Sequence, residues 1–224
     1  MNDKNRILLV LDGSEASLHA TQFAIRYARA TKMEVVAQLV IDSGNLWKTI
    51  GSCTSGLIGS GPYVAAYEGA KKDLLEIAGF IEQSFSARAD AAGIKTEFHI
   101  DEGEPLHEID KRAADCSLII VGDLAVSKSM IESSTGERLA NRSPLPTLLI
   151  RQPIDDLKVA QFYVDSNCYE PGAMAHFIEL TEALNLERHI ICVGNAGGMD
   201  RFVQKIRNDA SERVKLHVAV RVVS

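Results

Sequence analysis

The chain has 224 residues, 46% hydrophobic and 24% charged, which is enough apolar material for one full core and part of a second and argues against disorder. Its formal net charge is -6, with Lys and Arg spread along the sequence, so no basic stripe exists to neutralise phosphates and no nucleic-acid partner is expected. Cys53, Cys116, Cys168 and Cys192 lie far apart without CxxC pairs, and no apolar run nears the roughly 20 residues of a membrane helix. Reduced thiols, no metal site, no membrane partner and a cytoplasmic location follow as expectations.

Ile7 to Leu11 is a solid apolar run ending in Asp12, Gly13 and Ser14, the pattern of a buried parallel strand entering a helix cap. Ala20, Phe23, Ala24, Tyr27 and Ala28 then repeat at helical spacing, and Val35 to Ile41 gives a second strand closing at Asp42. Ser43 to Pro62, rich in Gly and Ser and carrying the lone Trp47, reads as a long loop. The next helix places Leu74, Ile77, Ala78, Ile81, Phe85 and Ala89 on one face and leads to a strand around Phe98 to Ile100. Gly103 and Pro105 restart a helix containing Leu106, Ile109 and Ala113. Ser117 to Val121 is a fourth strand ending at Gly122, and a short helix around Glu137 to Asn141 precedes a fifth at Thr147 to Ile150. This alternation predicts an α/β fold with a doubly wound parallel sheet.

A break at Arg151, Gln152 and Pro153 divides the chain into residues 1-153 and 154-224. Lys158 to Val164 ends at Asp165, Ser166 and Asn167, echoing Asp12, Gly13 and Ser14. A helix with Met174, Phe177, Ile178 and Leu184, a strand from His189 to Val193, a helix with Phe202 and Ile206, and an alternating strand to Val222 complete a shortened β-α-β-α-β copy of the opening. The copy has no counterpart of Gly122. Its strand Val159 to Val164 keeps one edge without a partner, which the first domain or another chain is expected to cover, unless the sequence is cut short of its natural partner strands.

Five motifs run through the first part of the chain: Ile7-Leu-Leu-Val-Leu-Asp-Gly-Ser14, Leu39-Val-Ile-Asp42, Glu102-Gly-Glu-Pro105, Ser117-Leu-Ile-Ile-Val-Gly122 and Ser143-Pro-Leu-Pro-Thr-Leu-Leu-Ile-Arg151. Together they resemble the universal stress protein family. The resemblance implies a five-stranded sheet of order 3-2-1-4-5 and an ATP site, with Mg²⁺, at Asp12, Val40, Gly122, Ala125, Ser133 and Ser134. It also implies a homodimer or pseudo-dimer through Thr147-Ile150. Open α/β sheets bind ligands beyond the carboxyl ends of their strands at the topological switch, here between Asp12 and Gly122.

The sequence departs from the family's Gly, two residues, Gly, nine residues, Gly-Ser/Thr loop. Ala125 stands at the second glycine, and aligning Glu137-Arg138 puts Ser133-Ser134 at the Gly-Ser position with two residues missing. Glycines in such a loop let backbone N-H groups turn toward the anion. Asp123 adds a carboxylate where phosphates are expected, although Lys128 or Arg138 could offset it and Ser133, Ser134 and Thr135 supply hydroxyls. Each residue has an ordinary reading as well: Asp12 as a helix cap, Val40 as core, Gly122 as a strand terminus. Gly56 to Gly61 fails as a phosphate cradle because no strand leads directly into it. The expectation is a non-enzymatic stress-response or regulatory protein with a weak or lost ATP site and an unidentified protein partner. The alternative is an ATP-binding switch or slow ATPase. A flavin- or adenylate-using α/β enzyme stands third.

Overall fold

The computed structural model describes residues 5-52, 61-123, 134-154, 156-165, 168-194, 199-210 and 217-222. The chain forms two compact units, Met1–Pro153 and Ile154–Ser224. Unit one contains β1 (Arg6–Leu11), α1 (Glu15–Thr31), β2 (Glu34–Ile41), α2 (Ser43–Ser52), α3 (Gly61–Ala92), β3 (Thr96–Glu102), α4 (Pro105–Ala113), β4 (Leu118–Gly122), α5 (Thr135–Arg142) and β5 (Thr147–Ile150). Its five strands are parallel, in the order β3-β2-β1-β4-β5.

That order follows from crossover handedness. Right-handed connections that step from β1 to β2 to β3 place α1 and α3 on one face, and the return over β1 to β4 and β5 puts α4 and α5 on the other. Leu8, Val10, Val36, Ile119 and Val121 accordingly pack with Leu106, Ile109, Ala113 and Leu139. The alternate residues Ile7, Leu9 and Leu11, also buried, point toward α1 and α3. Each fully buried Leu, Ile or Val contributes about 1.5 to 3 kcal/mol relative to an exposed one, so this double-sided sheet is the source of most of the unit's stability.

Two helices are positioned by local capping. Ser14 is the N-cap of α1, its side-chain oxygen accepting from the Ser17 N-H at 3.1 Å, with Glu15 in the first turn and Arg29 in the last. Glu104 caps α4 by accepting from the His107 N-H at 2.8 Å, with Pro105 starting the helix. Gly103, at φ +151°, makes the turn between β3 and α4 and donates its N-H to the Ile41 carbonyl at 3.1 Å.

One expectation needs correction. Ser43 to Ser52 is helical, and the segment expected as loop holds α2, whose Trp47 meets Tyr67 of α3 edge to face at 5.3 Å. A tertiary aromatic contact thus accompanies a helix that Gly and Ser content argued against. On α3, only Ala78, Phe85 and Ala89 are buried, whereas Leu74 and Ile77 are exposed, as is Phe80 at 71%. The helix spans 32 residues, about 48 Å at 1.5 Å per residue, and strands of four to eight residues are too short to cover it.

Unit two contains β6 (Val159–Asp165), α6 (Pro171–Ala183), β7 (Glu187–Gly194), α7 (Met199–Asp209) and β8 (His217–Val222), with a parallel three-stranded sheet of order β6-β7-β8. Both crossovers step in the same direction, so both helices cover one face, where Val164, Ile190 and Cys192 pack with Met174 and Ile206. β6 pairs only with β7 among the described residues, in keeping with the expected open edge. Among the described residues no helix is long and apolar enough to cross a membrane. Cys116, Cys168 and Cys192 are free thiols, Cys168 exposed and the others buried; Cys53 lies outside the described residues.

An ion-pair latch ties α4 to the edge strand β3. Asp101 accepts two bonds from Arg112, at 2.8 and 2.9 Å, and one from the Gln38 amide at 2.7 Å. Burial disfavours the Asp101 carboxylate, but the Arg112 and Gln38 bonds together outweigh it and hold its pKa below the ordinary 3.8. The stabilisation is complete above that ordinary value and is lost as pH falls below it toward the lowered folded value. Asp101→Asn should therefore cost about 1 to 2 kcal/mol at pH 7 in urea unfolding, and the deficit should shrink steadily as pH falls below the ordinary carboxylate value.

Candidate functional site

The register places the crevice. Val10 pairs with Val121, so Leu11 lies beside Gly122 and Asp12 leaves the sheet next to Asp123, at the point where the strand order reverses. Gly122 faces α1 so closely that a Cβ there would meet the Ser17 nitrogen at 2.3 Å and the Ala16 carbonyl carbon at 2.4 Å. Both are backbone atoms of the first turn of α1, which no rotamer change can move. Gly122 is thus required by the packing of a helix onto the end of β4, whatever ligand the crevice takes.

Asp12 is exposed, and its Oδ1 accepts from the Ser14 N-H at 2.9 Å, forming an Asx turn through Gly13 at φ +78°. The helix cap is Ser14, not Asp12. Val40 is half-buried at the end of β2 and packs on the cluster that contains Leu8 and Val10. Ser134 is the N-cap of α5 and half of a capping box: its oxygen accepts from the Glu137 N-H at 3.0 Å while Glu137 Oε2 accepts from the Ser134 N-H at 3.4 Å. Ala125, Ser133 and Lys128 lie outside the described residues.

The residue that the sequence reading passed over is Arg151. Asp123, only 3% exposed, accepts from Arg151 at 2.9 and 3.1 Å, and the same guanidinium donates to Glu137 Oε1 at 2.7 Å. The Asp123 carboxyl lies against the first turn of α5, 3.1 Å from where a Cβ on Gly136 would stand. Among the described residues the cation paired with Asp123 is Arg151 rather than Arg138, while Lys128 lies outside them. The hydrogen bond that Arg151 donates to Asp123 first, and the one it donates to Glu137 after it, raise the Arg151 pKa against the opposing effect of burial. The β4–β5 register makes them neighbours: Gly122 pairs with Ile150, so Asp123 and Arg151 follow two paired parallel strands side by side.

Two other clefts flank α4. One of about 410 Å³ is lined by Cys116, Leu145 and the Arg142–Asp110 ion pair. One of about 230 Å³ is lined by the Asp101–Arg112 latch and His99. Both sit away from the carboxyl ends of β1 and β4, where the switch lies. No group of three or more His, Cys, Asp or Glu able to hold a metal occurs among the described residues.

A parallel sheet of this order, with its crevice between β1 and β4, defines the doubly wound α/β class whose ligands bind at the switch point. The family model of the universal stress protein family matches residues 4–151, and the chain belongs to that family. Universal stress protein YxiE of Bacillus subtilis (strain 168) is 27% identical over 157 residues, covering 66% of this chain and 99% of that protein. The crystal structure of a universal stress protein from Archaeoglobus fulgidus DSM 4304 has a similar fold, with a TM-score of 0.63 at 21% identity over 99% of this chain and 80% of that one.

Arg151→Ala leaves the buried Asp123 carboxylate without its cation and should destabilise unit one by about 1 to 3 kcal/mol in denaturant unfolding. In an Asp123→Asn background the same substitution should cost clearly less, and equal costs in both backgrounds would show that the pair is not coupled. Gly122→Ala should cost about 3 kcal/mol or prevent folding, because the backbone of α1 must shift.

Proposed function

We propose that this universal stress protein is a non-enzymatic stress-response or regulatory protein, acting in the cytoplasm through protein contacts, whose switch-point ATP site is weak or lost. The observation that carries the reading is the set Asp123, Arg151 and Glu137. A phosphate at the end of β4 would rely on the N-terminus of α5 and on a nearby cation. Here the capping box already engages the Ser134 and Glu137 N-H groups, and Arg151 is committed to two carboxylates. Among the described residues two negative charges face one positive charge there, which disfavours a further anion.

Residues 154-224 fit a shortened second copy of the family domain, since β6-α6-β7-α7-β8 follows the strand and helix order of β1-α1-β2-α3-β3 and its sheet has the matching neighbour order. β5 is an edge strand, paired only with β4 among the described residues. We infer that Thr147–Ile150 joins two copies of the chain, because an open edge is a template for strand pairing. Its residues are half-buried except Ile150, which is buried.

Calorimetry with ATP and Mg²⁺ tests the main reading. The expected result is a Kd weaker than about 1 mM, and a Kd near or below about 1 µM would favour the switch or slow-ATPase alternative instead. For the dimer, Leu148→Lys should shift the mass measured by light scattering to that of one chain; an unchanged dimer would remove β5 from the interface.

A further inference from the structure

α3 carries a second pattern besides the one that seats it on the sheet. Ala78, Phe85 and Ala89 are its buried row. On another side of the helix Ile77 and Phe80 are 52% and 71% exposed, with exposed Asp73 before them and exposed Ser84 after them. The same spacing continues to half-buried Ala70 and exposed Ala66 in one direction and to exposed Ala87 and Ala91 in the other. From residue 66 to residue 91 the steps alternate strictly between four and three, the heptad seam along which two helices pack. At about 100° per residue this seam stands roughly 130° around the helix from the buried row.

The seam matches itself when reversed. Its midpoint falls between Ile77 and Phe80, so an antiparallel second α3 sets Ile77 against the partner's Phe80 and Asp73 against the partner's Ser84. Alanine then meets alanine toward both ends. A two-fold contact requires such self-complementarity, because one patch must serve both copies. Charge favours the same alignment: Arg88 lies one turn beyond Ser84, which brings the partner's Arg88 toward Asp73, twice by symmetry. Parallel alignment would instead set Asp73 against the partner's Asp73. α3 runs from Gly61 to Ala92, so its own middle lies within a turn of the seam's midpoint and the two helices overlap along most of their length.

The geometry points to α3 as a self-recognition surface: two copies of the chain dock α3 against α3, antiparallel, with Ile77 and Phe80 at the centre. Alanine and serine at the outer layers let the helix axes approach toward the lower end of the usual 8 to 10 Å. Only the central layers bury large side chains, so the contact falls below the roughly 1,200 Å² of a stable interface and its Kd is on the order of 100 µM. The surface lies apart from the β5 edge. A chain with two such two-fold contacts builds assemblies larger than a dimer at high concentration.

Sedimentation equilibrium of the full chain carrying Leu148→Lys isolates this contact from the β5 one. The mass should be that of one chain at about 5 µM and approach that of two at about 500 µM. Phe80→Glu removes no internal packing, since Phe80 is 71% exposed, and should hold the protein at one chain at both concentrations. Ser84→Glu, facing the partner's Asp73, should weaken association at least about 10-fold, and adding Asp73→Lys should restore it. That charge exchange carries the test should the Phe80 variant fail to fold. Spin labels on cysteines placed at Gln83 or Asp90, with Cys53→Ser and Cys168→Ser, read the alignment. At 1.5 Å per residue and an axis spacing near 9 Å, mates should stand about 16 Å apart at 83 and about 36 Å apart at 90. A single chain at 500 µM, or association that Phe80→Glu leaves unchanged, would overturn the α3 contact. Equal distances at the two labelled positions, or a charge exchange that restores nothing, would overturn its antiparallel register.

Discussion

The approach of α1 to the end of β4 is the constraint on which unit one is built. With a Cβ at Gly122 only 2.3 Å from the Ser17 nitrogen, the helix can seat there only because that position lacks a side chain. Seating α1 across β1 and β4 buries Ala16, Ala20, Ala24 and Ala28, small residues that let helix and sheet come close. The same contact brings the N-terminus of α1 to the switch between β1 and β4. Packing and site geometry therefore share one cause, and the crevice is a by-product of how the helix is accommodated.

What fills that crevice electrostatically is a second level of organisation. A buried carboxylate is costly unless it is paired and hydrogen-bonded, and Asp123 meets the requirement through Arg151, which reaches it from the end of the neighbouring strand. Arg151 is itself 46% exposed, so it can bridge inward to Asp123 and outward to Glu137 without full desolvation. The bridge couples the end of β4, the start of α5 and the end of β5. The three side chains thus form an internal staple.

The two units solve the same topological problem to different degrees. In unit one the chain crosses back over its own sheet and covers both faces. In unit two both described helices lie on one face, and the strand residues that alternate away from them on β6 are Val159, Gln161 and Tyr163, all exposed. The polar members of that face, with Tyr163 donating to Gln161 at 3.0 Å and His189 bonded to Glu187 at 3.1 Å, suit contact with water or with a mixed polar surface. By contrast α3 carries exposed large apolar side chains, Ile77 and Phe80, among exposed polar ones.

Much of the fold was legible because a parallel sheet buried on both faces needs continuous apolar runs, and Ile7 to Leu11, Val35 to Ile41 and Ser117 to Val121 are such runs. Periodicity is a local property, so β5 could be bounded at Thr147 and Ile150 from the sequence alone. α2 was not legible, since Gly and Ser weaken its propensity and the Trp47–Tyr67 contact joins it to a helix beyond local reach. Nor was the exposure of Leu74 and Ile77, because a helical stripe says which residues share a face but not how far a neighbouring sheet extends. At the site, sequence supplied Asp12, Gly122 and the acidic intrusion of Asp123, all adjacent to strand ends. It could not supply the partner of Asp123, because Arg151 is 28 residues away and meets it only when β4 and β5 lie side by side in register. Composition and spacing thus determined the class of sheet and the end of it that matters, while long-range pairing decided which charges meet there.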